Sequence, residues 1–284
     1  MILIALALSA ISPIIATPAT FAAVMDKAIS GQWIDLAPGN YGDVRLADYT
    51  KPRPTLSPPI TVNSCGRSAI FSSLFIYAWN GINFNCFHAI APLTAQGGLV
   101  IQSSDHINVF DAVVVGGVLG IRIDHSHHIT VTGAKLSGFG ADGMDVTDVQ
   151  ETRLDGIECS DPKTLSGMHP DCVQMWATNS PLNHVWITRS LAVGKMQGFD
   201  NFSSTDQTMY DVHFEDNRVI STEPNAYWMN PDCKEGCTFK RNTAKDYGGP
   251  DQRWPTRVAA PRTTPRGWAP GSVTGNLENG VTPH

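Results

Sequence analysis

A chain of 284 residues, 42% of them hydrophobic, is long enough for one large domain or two small ones and can bury a continuous core. Only 16% are charged, and 25 glycines mix with scattered Asn, Ser, Thr and Asp, which suits many short strands joined by polar turns better than long helices. The net charge of −6 excludes the basic footprint that a nucleic-acid binder needs, so no nucleic-acid partner is expected.

Residues 1–20 open on an apolar run that lasts to about Ala16 and ends near small residues, Ala16 to Ala23, as a secretion signal does. The run is shorter than the ~20 apolar residues of a spanning helix. No stable membrane span is therefore expected, and the location predicted is secreted or periplasmic. The spacing of Phe21, Val24, Ala28 and Ile29 predicts an amphipathic helix over Thr20–Ile29, suited to closing the end of a repeat array. Residues 21–249 read as one domain. Residues 250–284, rich in Pro, Arg and Gly and without periodicity, read as an irregular tail.

Between these ends the chain repeats itself. Gly98–Val109, Gly120–Val131 and Gly143–Leu154 share a small residue, an apolar alternation, a polar turn and a second alternation. Weaker copies begin at Cys172, Gly198 and Ala226, and an earlier one runs through Phe75–Phe84. Each copy holds two strands too short to form a sheet alone; stacked coils pair them and share one core. The fold class predicted is all-β, a right-handed parallel β-helix with an N-terminal capping helix. A β-sandwich is the rival, but it does not require similar segments at a near-constant offset.

Stacking the copies aligns Val100, Arg122, Asp145, Gln174, Asp200 and Trp228 in one column. Three residues earlier stand Gly97, Leu119, Asp142, Asp171, Gln197 and Asn225. Coils lie ~4.8 Å apart, so Asp142 is expected beside Asp171, and Asp145 between Arg122 and Gln174. Carboxylates that close share a proton or a cation. The candidate catalytic residues are Asp142, Asp145, His169, Asp171 and Lys195, with general acid and base roles open to them. The candidate substrate-binding residues are Arg122, Gln174, Trp176, Gln197, Asp200 and Trp228; both tryptophans offer a face for a sugar ring, or for packing. Asp142, Asp145 and Asp171 would also suit calcium, while a reading without cofactor stands beside it. His125, His127 and His128 read as a solvated turn, because adjacent side chains there point apart.

Six cysteines are present. Spacing suggests Cys65 with Cys86, Cys159 with Cys172 and Cys233 with Cys237, although sequence leaves the connectivity open. The absence of a CxxC pair argues against zinc. A Cys159–Cys172 bridge would hold the inserted segment Asp161–His169 beside the acidic column.

Gly31–Tyr41 resembles the opening coil of pectin-lyase-like β-helix proteins. Gly140–Asp145, Pro170–Cys172 and Met196–Gly198 partly resemble the motifs of polygalacturonases within that superfamily. The resemblance implies that Asp142 and Asp171 stand at water-activating positions. It departs at Pro170, where the family has its proton-donating Asp, and at Gln197, where it has His. The expected function is cleavage of glycosidic bonds in a polysaccharide, hydrolysis favoured. A calcium-dependent lyase on a uronic-acid polymer is the second possibility, with Lys195, Arg122 or His169 as base. A non-catalytic carbohydrate-binding solenoid or adhesin is the third. A monomer is expected.

Overall fold

The computed structural model of the protein describes residues 12–47, 55–66, 68–203, 209–222, 229–230 and 235–246. Every strand pairing is parallel, and strands next to each other in a sheet come from successive turns of the chain. The protein is therefore a parallel β-helix, with crossovers of the right-handed sense that strand twist imposes. A sandwich, with its antiparallel pairs, is ruled out.

Each coil carries three strands, on faces called here A, B and C. Face A stacks Gly39–Ala47, Ala69–Tyr77, Gly97–Gln102, Leu119–Asp124, Met144–Thr147, Asp171–Ala177, Gln197–Ser203 and Met229–Asn230. Face B runs from Ile14–Ala16 through Trp33–Leu36, Asp105–Phe110, His127–Thr132 and Gln150–Asp155 to Thr238–Lys240. Face C holds shorter strands, among them Val113–Gly116, Lys135–Ser137, Glu158–Ser160, Leu191–Gly194 and Arg218–Ser221. The long strand Ala69–Tyr77 turns the corner between faces C and A, pairing with His88–Ala91 at Phe71 and with Gly97–Gln102 from Leu74 onward.

The repeats are the A and B strands of each coil. Face C is the part the repeats do not announce, because three or four residues such as Val113–Gly116 are too short to show an alternation.

The core follows from register. Ile76, Ile101, Ile123, Val146 and Met175 are partners in successive coils and are all fully buried. Each such side chain contributes roughly 1.5–3 kcal/mol relative to exposure, and the stack makes one uninterrupted interior. Buried polar side chains line the turns. Ser126 Oγ accepts the N–H of Ser104, and Ser104 Oγ accepts that of Trp79, which satisfies turn backbone that would otherwise be orphaned.

At the N-terminal end the helix is shorter than the periodicity predicts, Phe21–Asp26. Phe21 and Met25 are its buried residues, and Phe21 meets Tyr41 and Phe71 edge-on. Ile29 lies beyond the helix and is exposed, since the chain has already turned toward Trp33–Leu36. Ile14–Ala16, within the segment read as a secretion signal, is a strand in register with Ile34–Leu36. Residues 1–11 and 250–284 lie outside the described residues.

Cys65–Cys86 and Cys159–Cys172 are disulfides, as the spacing suggested. The third suggested pair involves Cys233, outside the described residues. Disulfides fit an oxidising compartment. No helix among the described residues is long and apolar enough to cross a membrane.

Candidate active site on face A

Alternation along each A strand turns every second side chain outward, and register stacks these into a column. Arg45, Phe75, Val100, Arg122, Asp145, Gln174, Asp200 and Asn230 are successive partners. The column thus runs from basic to acidic along the helix. Asn230 takes the sixth position expected of Trp228: Asp200 pairs with Asn230. Trp228 and Asn225 lie outside the described residues.

The second column also forms. Gly143 N–H donates to the Asp171 carbonyl and Gly120 N–H to the Asp142 carbonyl, so Asp142 and Asp171 are neighbours in adjacent coils. The N–H of Asp171 donates to Asp142 Oδ1 at 3.0 Å. Gln174 Nε2 donates to Asp171 Oδ2 at 2.7 Å, and Trp176 Nε1 to Gln174 Oε1 at 2.7 Å. With its amide nitrogen toward the carboxylates, Gln197 donates to Asp171 Oδ1 at 3.1 Å and to Asp200 Oδ2 at 2.5 Å. Gln197 therefore bridges Asp171 and Asp200, which would otherwise repel, and Gln174 holds the other Asp171 oxygen.

Gly143 makes this stacking possible. A Cβ there would come within 2.7 Å of both the Cys159 sulfur and the Cys172 carbonyl, so only glycine lets the Asp142 strand close on the disulfide. The inserted segment folds back on this edge. Lys163 and Leu165 N–H donate to the carbonyls of Phe139 and Gly140.

Burial sets the electrostatics. Asp171 and Asp200 are fully buried, Asp142 nearly so, while Asp145 is half-buried. Burial pushes the Asp171 carboxyl up to about 10, and repulsion from Asp200 and Asp142 adds to this. Asp142 rises to about 7, mainly through burial, with the Asp171 N–H pulling it down and Asp145 pushing it up. Burial also raises Asp145, against the hydrogen bond from Thr147 and the charge of Arg122, which favour its ionised form. At neutral pH the group therefore combines a carboxyl that holds its proton with one poised to exchange it, beside the less buried Asp145.

The other candidates are placed less uniformly. His169 is exposed, its Nδ1 3.6 Å from Asp171 Oδ2, within ion-pair reach but beyond hydrogen-bond length. Lys195 is exposed. Arg122 pairs with Asp124 at 3.3 Å and reaches Gln96 at 3.4 Å. Trp176 stands partly exposed on the outward face. Asp142, Asp145 and Asp171 do not bring three carboxylate oxygens within 4.8 Å of one another; among the described residues that spacing is met by Asp105, His106 and His128 on face B.

Four participants escape a sequence reading: Arg45, Phe75, Gln96 and Asp124. Arg45 lies over the Phe75 ring at 4.2 Å. With Arg122, Gln96, Gln102 and Asp43 they line a cavity of about 520 Å³ on the basic half of the column. Asp124 was within reach of sequence, because it stands two residues after Arg122 and so shares its face. Arg45 was not, because the coil from Arg45 to Phe75 is longer than those that follow it, from Phe75 to Val100 and from Val100 to Arg122.

No family model matches the sequence, and no curated protein matches it. Among solved structures the fold is similar to pectate lyase Pel9A, at 15% identity and a TM-score of 0.39, over 87% of this chain and 82% of that one. It is similar to an alginate lyase from Paenibacillus sp. str. FPU-7, at 15% identity and a TM-score of 0.39, over 84% and 96%. It is also similar to PfbA, a surface adhesin of Streptococcus pneumoniae, at 8% identity and a TM-score of 0.37, over 75% and 77%.

Proposed function

We propose that the chain is a secreted or periplasmic carbohydrate-active enzyme that cleaves glycosidic bonds of a polysaccharide by hydrolysis. The observation that carries this reading is the unequal burial of neighbouring carboxyl groups, Asp171 enclosed, Asp142 nearly so and Asp145 half-buried. Asp142, raised to about 7, can hold a proton for the leaving glycosidic oxygen. Asp145, less buried and stabilised as an anion by Thr147 and Arg122, orients water as the base. Asp171 is fully buried, so it acts through Asp142 as a positioning residue, anchoring it by an N–H and keeping its own proton. A column that runs over successive coils from Arg45 to Gln174 suits an extended polymer better than a small metabolite, and Trp176 offers it an apolar face.

The second reading, a lyase on a uronic-acid polymer, is favoured by Arg45 and Arg122 on the same column, which suit substrate carboxylates. Calcium would use the oxygens of Asp142, Asp145 and Asp171. These oxygens do not close around one point as the ligand atoms of Asp105, His106 and His128 do. The test incubates the protein with neutral and uronic-acid polysaccharides, with calcium and with chelator, reading reducing ends and unsaturated-uronate absorbance together. Reducing ends alone support hydrolysis, absorbance lost with chelator supports the lyase, and silence in both channels overturns catalysis on these polymers.

A further inference from the structure

Face B carries a second cluster, remote in chemistry from the acidic column. Its strands begin with a residue of left-handed conformation, and in two successive coils that residue is histidine: His106 with φ 51° and His128 with φ 50°. The register pairs His127 with Asp105, so the two histidines occupy the same turn position one coil apart. Their rings stack, with centroids 4.4 Å apart and planes 17° from parallel. Both Nδ1 atoms lie 2.8 Å from the same oxygen, Asp105 Oδ1. Two nitrogens and one carboxylate oxygen, from three residues and two coils, thus converge, and their ligand atoms all lie within 4.8 Å of one another.

We propose that Asp105, His106 and His128 form a divalent transition-metal site, suited to zinc, that ties two successive coils together. The donor set decides the ion class. Two imidazoles and one carboxylate suit zinc and its neighbours, whereas calcium and magnesium take oxygen alone. Zinc bonds of about 2.0–2.2 Å set tetrahedral ligands roughly 3.3 Å apart, so the histidine nitrogens need to part from Asp105 by about half an ångström. The side chains have that freedom, being about half exposed for the histidines and 35% exposed for Asp105. Water reaches the remaining coordination position. The ion spans the coil boundary where His106 and His128 otherwise meet only by stacking and a shared acceptor, so it stabilises the coils against separation.

Titration calorimetry of the full chain with zinc chloride tests this. One saturable site is expected, with a rise of a few degrees in Tm when zinc is bound. His106→Asn and His128→Asn should each weaken binding by about tenfold or more, because even groups that only support a ligand cost that much. Asparagine tolerates the left-handed backbone, so these variants preserve the turn; should either fail to fold by circular dichroism, Asp105→Asn decides instead. His184→Asn, at the same turn position further along face B and outside the triad, should bind zinc as wild type does. The absence of saturable binding up to about 1 mM zinc, or wild-type binding by the triad variants, overturns the site.

Discussion

The backbone N–H of Asp171 donates to Oδ1 of Asp142 at 3.0 Å, while the charge of Asp142 adds to the burial that keeps the Asp171 carboxyl protonated. Burial raises the Asp142 carboxyl, the Asp171 N–H pulls it back and Asp145 pushes it up, which leaves it at about 7. The consequences can be measured.

The first concerns pH and rate. If Asp142 supplies the proton, kcat should fall as pH rises above about 7, because its acid form is then lost. The ionised Asp145 nearby helps hold that proton. Asp145→Asn should therefore move the Asp142 titration to lower pH, as read by carbon-13 NMR of its carboxyl carbon. An unmoved titration would mean that the two carboxylates are not coupled.

Stability should fall with rising pH. The Asp171 carboxyl is held at about 10 in the fold against an ordinary value of 3.8. Between those values the folded chain binds more protons than the unfolded one, so raising pH through that window favours unfolding. Asp171→Asn keeps the hydrogen-bonding shape without the charge. It should melt a few degrees higher than wild type at about pH 8 and show a flatter pH dependence of Tm. An equal or lower Tm at that pH would show that Asp171 is not under electrostatic strain.

Substrate charge should be read by Arg45. It lines the cavity on the basic half of the column and lies far enough along it to leave the acidic group intact. Arg45→Ala should raise KM for a uronic-acid polymer roughly tenfold, the value of one charge-assisted hydrogen bond, with little effect on kcat. A neutral polymer should be indifferent to the change. An equal loss on both would reduce the cavity to packing.

The Cys159–Cys172 disulfide closes the segment that leads to His169 and Asp171. Replacing both cysteines by Ser should cost about 3 kcal/mol in urea unfolding, from loop closure alone. Activity should fall further than stability explains, because Gly143 packs the Asp142 strand directly against Cys159 and Cys172. Loss of stability with full kcat would mean that the bridge supports the coil and not the carboxylates.

The β-helix was legible because its physics is repetitive. Ile101, Ile123 and Val146 recur at one phase of the alternation, and only stacked coils bury all three. The acidic column was legible for the same reason: once Ile123 aligns with Val146, Arg122 must face Asp145. The C strands were hidden by brevity, and Arg45 by the greater length of the coil that separates it from Phe75. Side-chain contacts were the least visible. The sequence could align Asp171 with Gln197, but the glutamine bridge between Asp171 and Asp200 depends on amide orientation. The histidines of the 125–128 run are exposed, as expected of a solvated turn. Neighbours in sequence do point apart, yet His128 meets His106 of the previous coil, and His125 lies between Asp124 at 2.6 Å and Asp148 at 3.2 Å.

The most direct test of the central claim compares wild type, Asp142→Asn and Asp171→Asn on whichever polysaccharide the wild type cleaves. Release of reducing ends should drop by about 10²–10⁴ in kcat for Asp142→Asn, the usual share of a general acid, with KM little changed. Asp171→Asn should keep part of the activity and shift its pH profile, as befits a group that acts through Asp142. Full activity in Asp142→Asn would contradict the account and remove the acidic column from the chemistry.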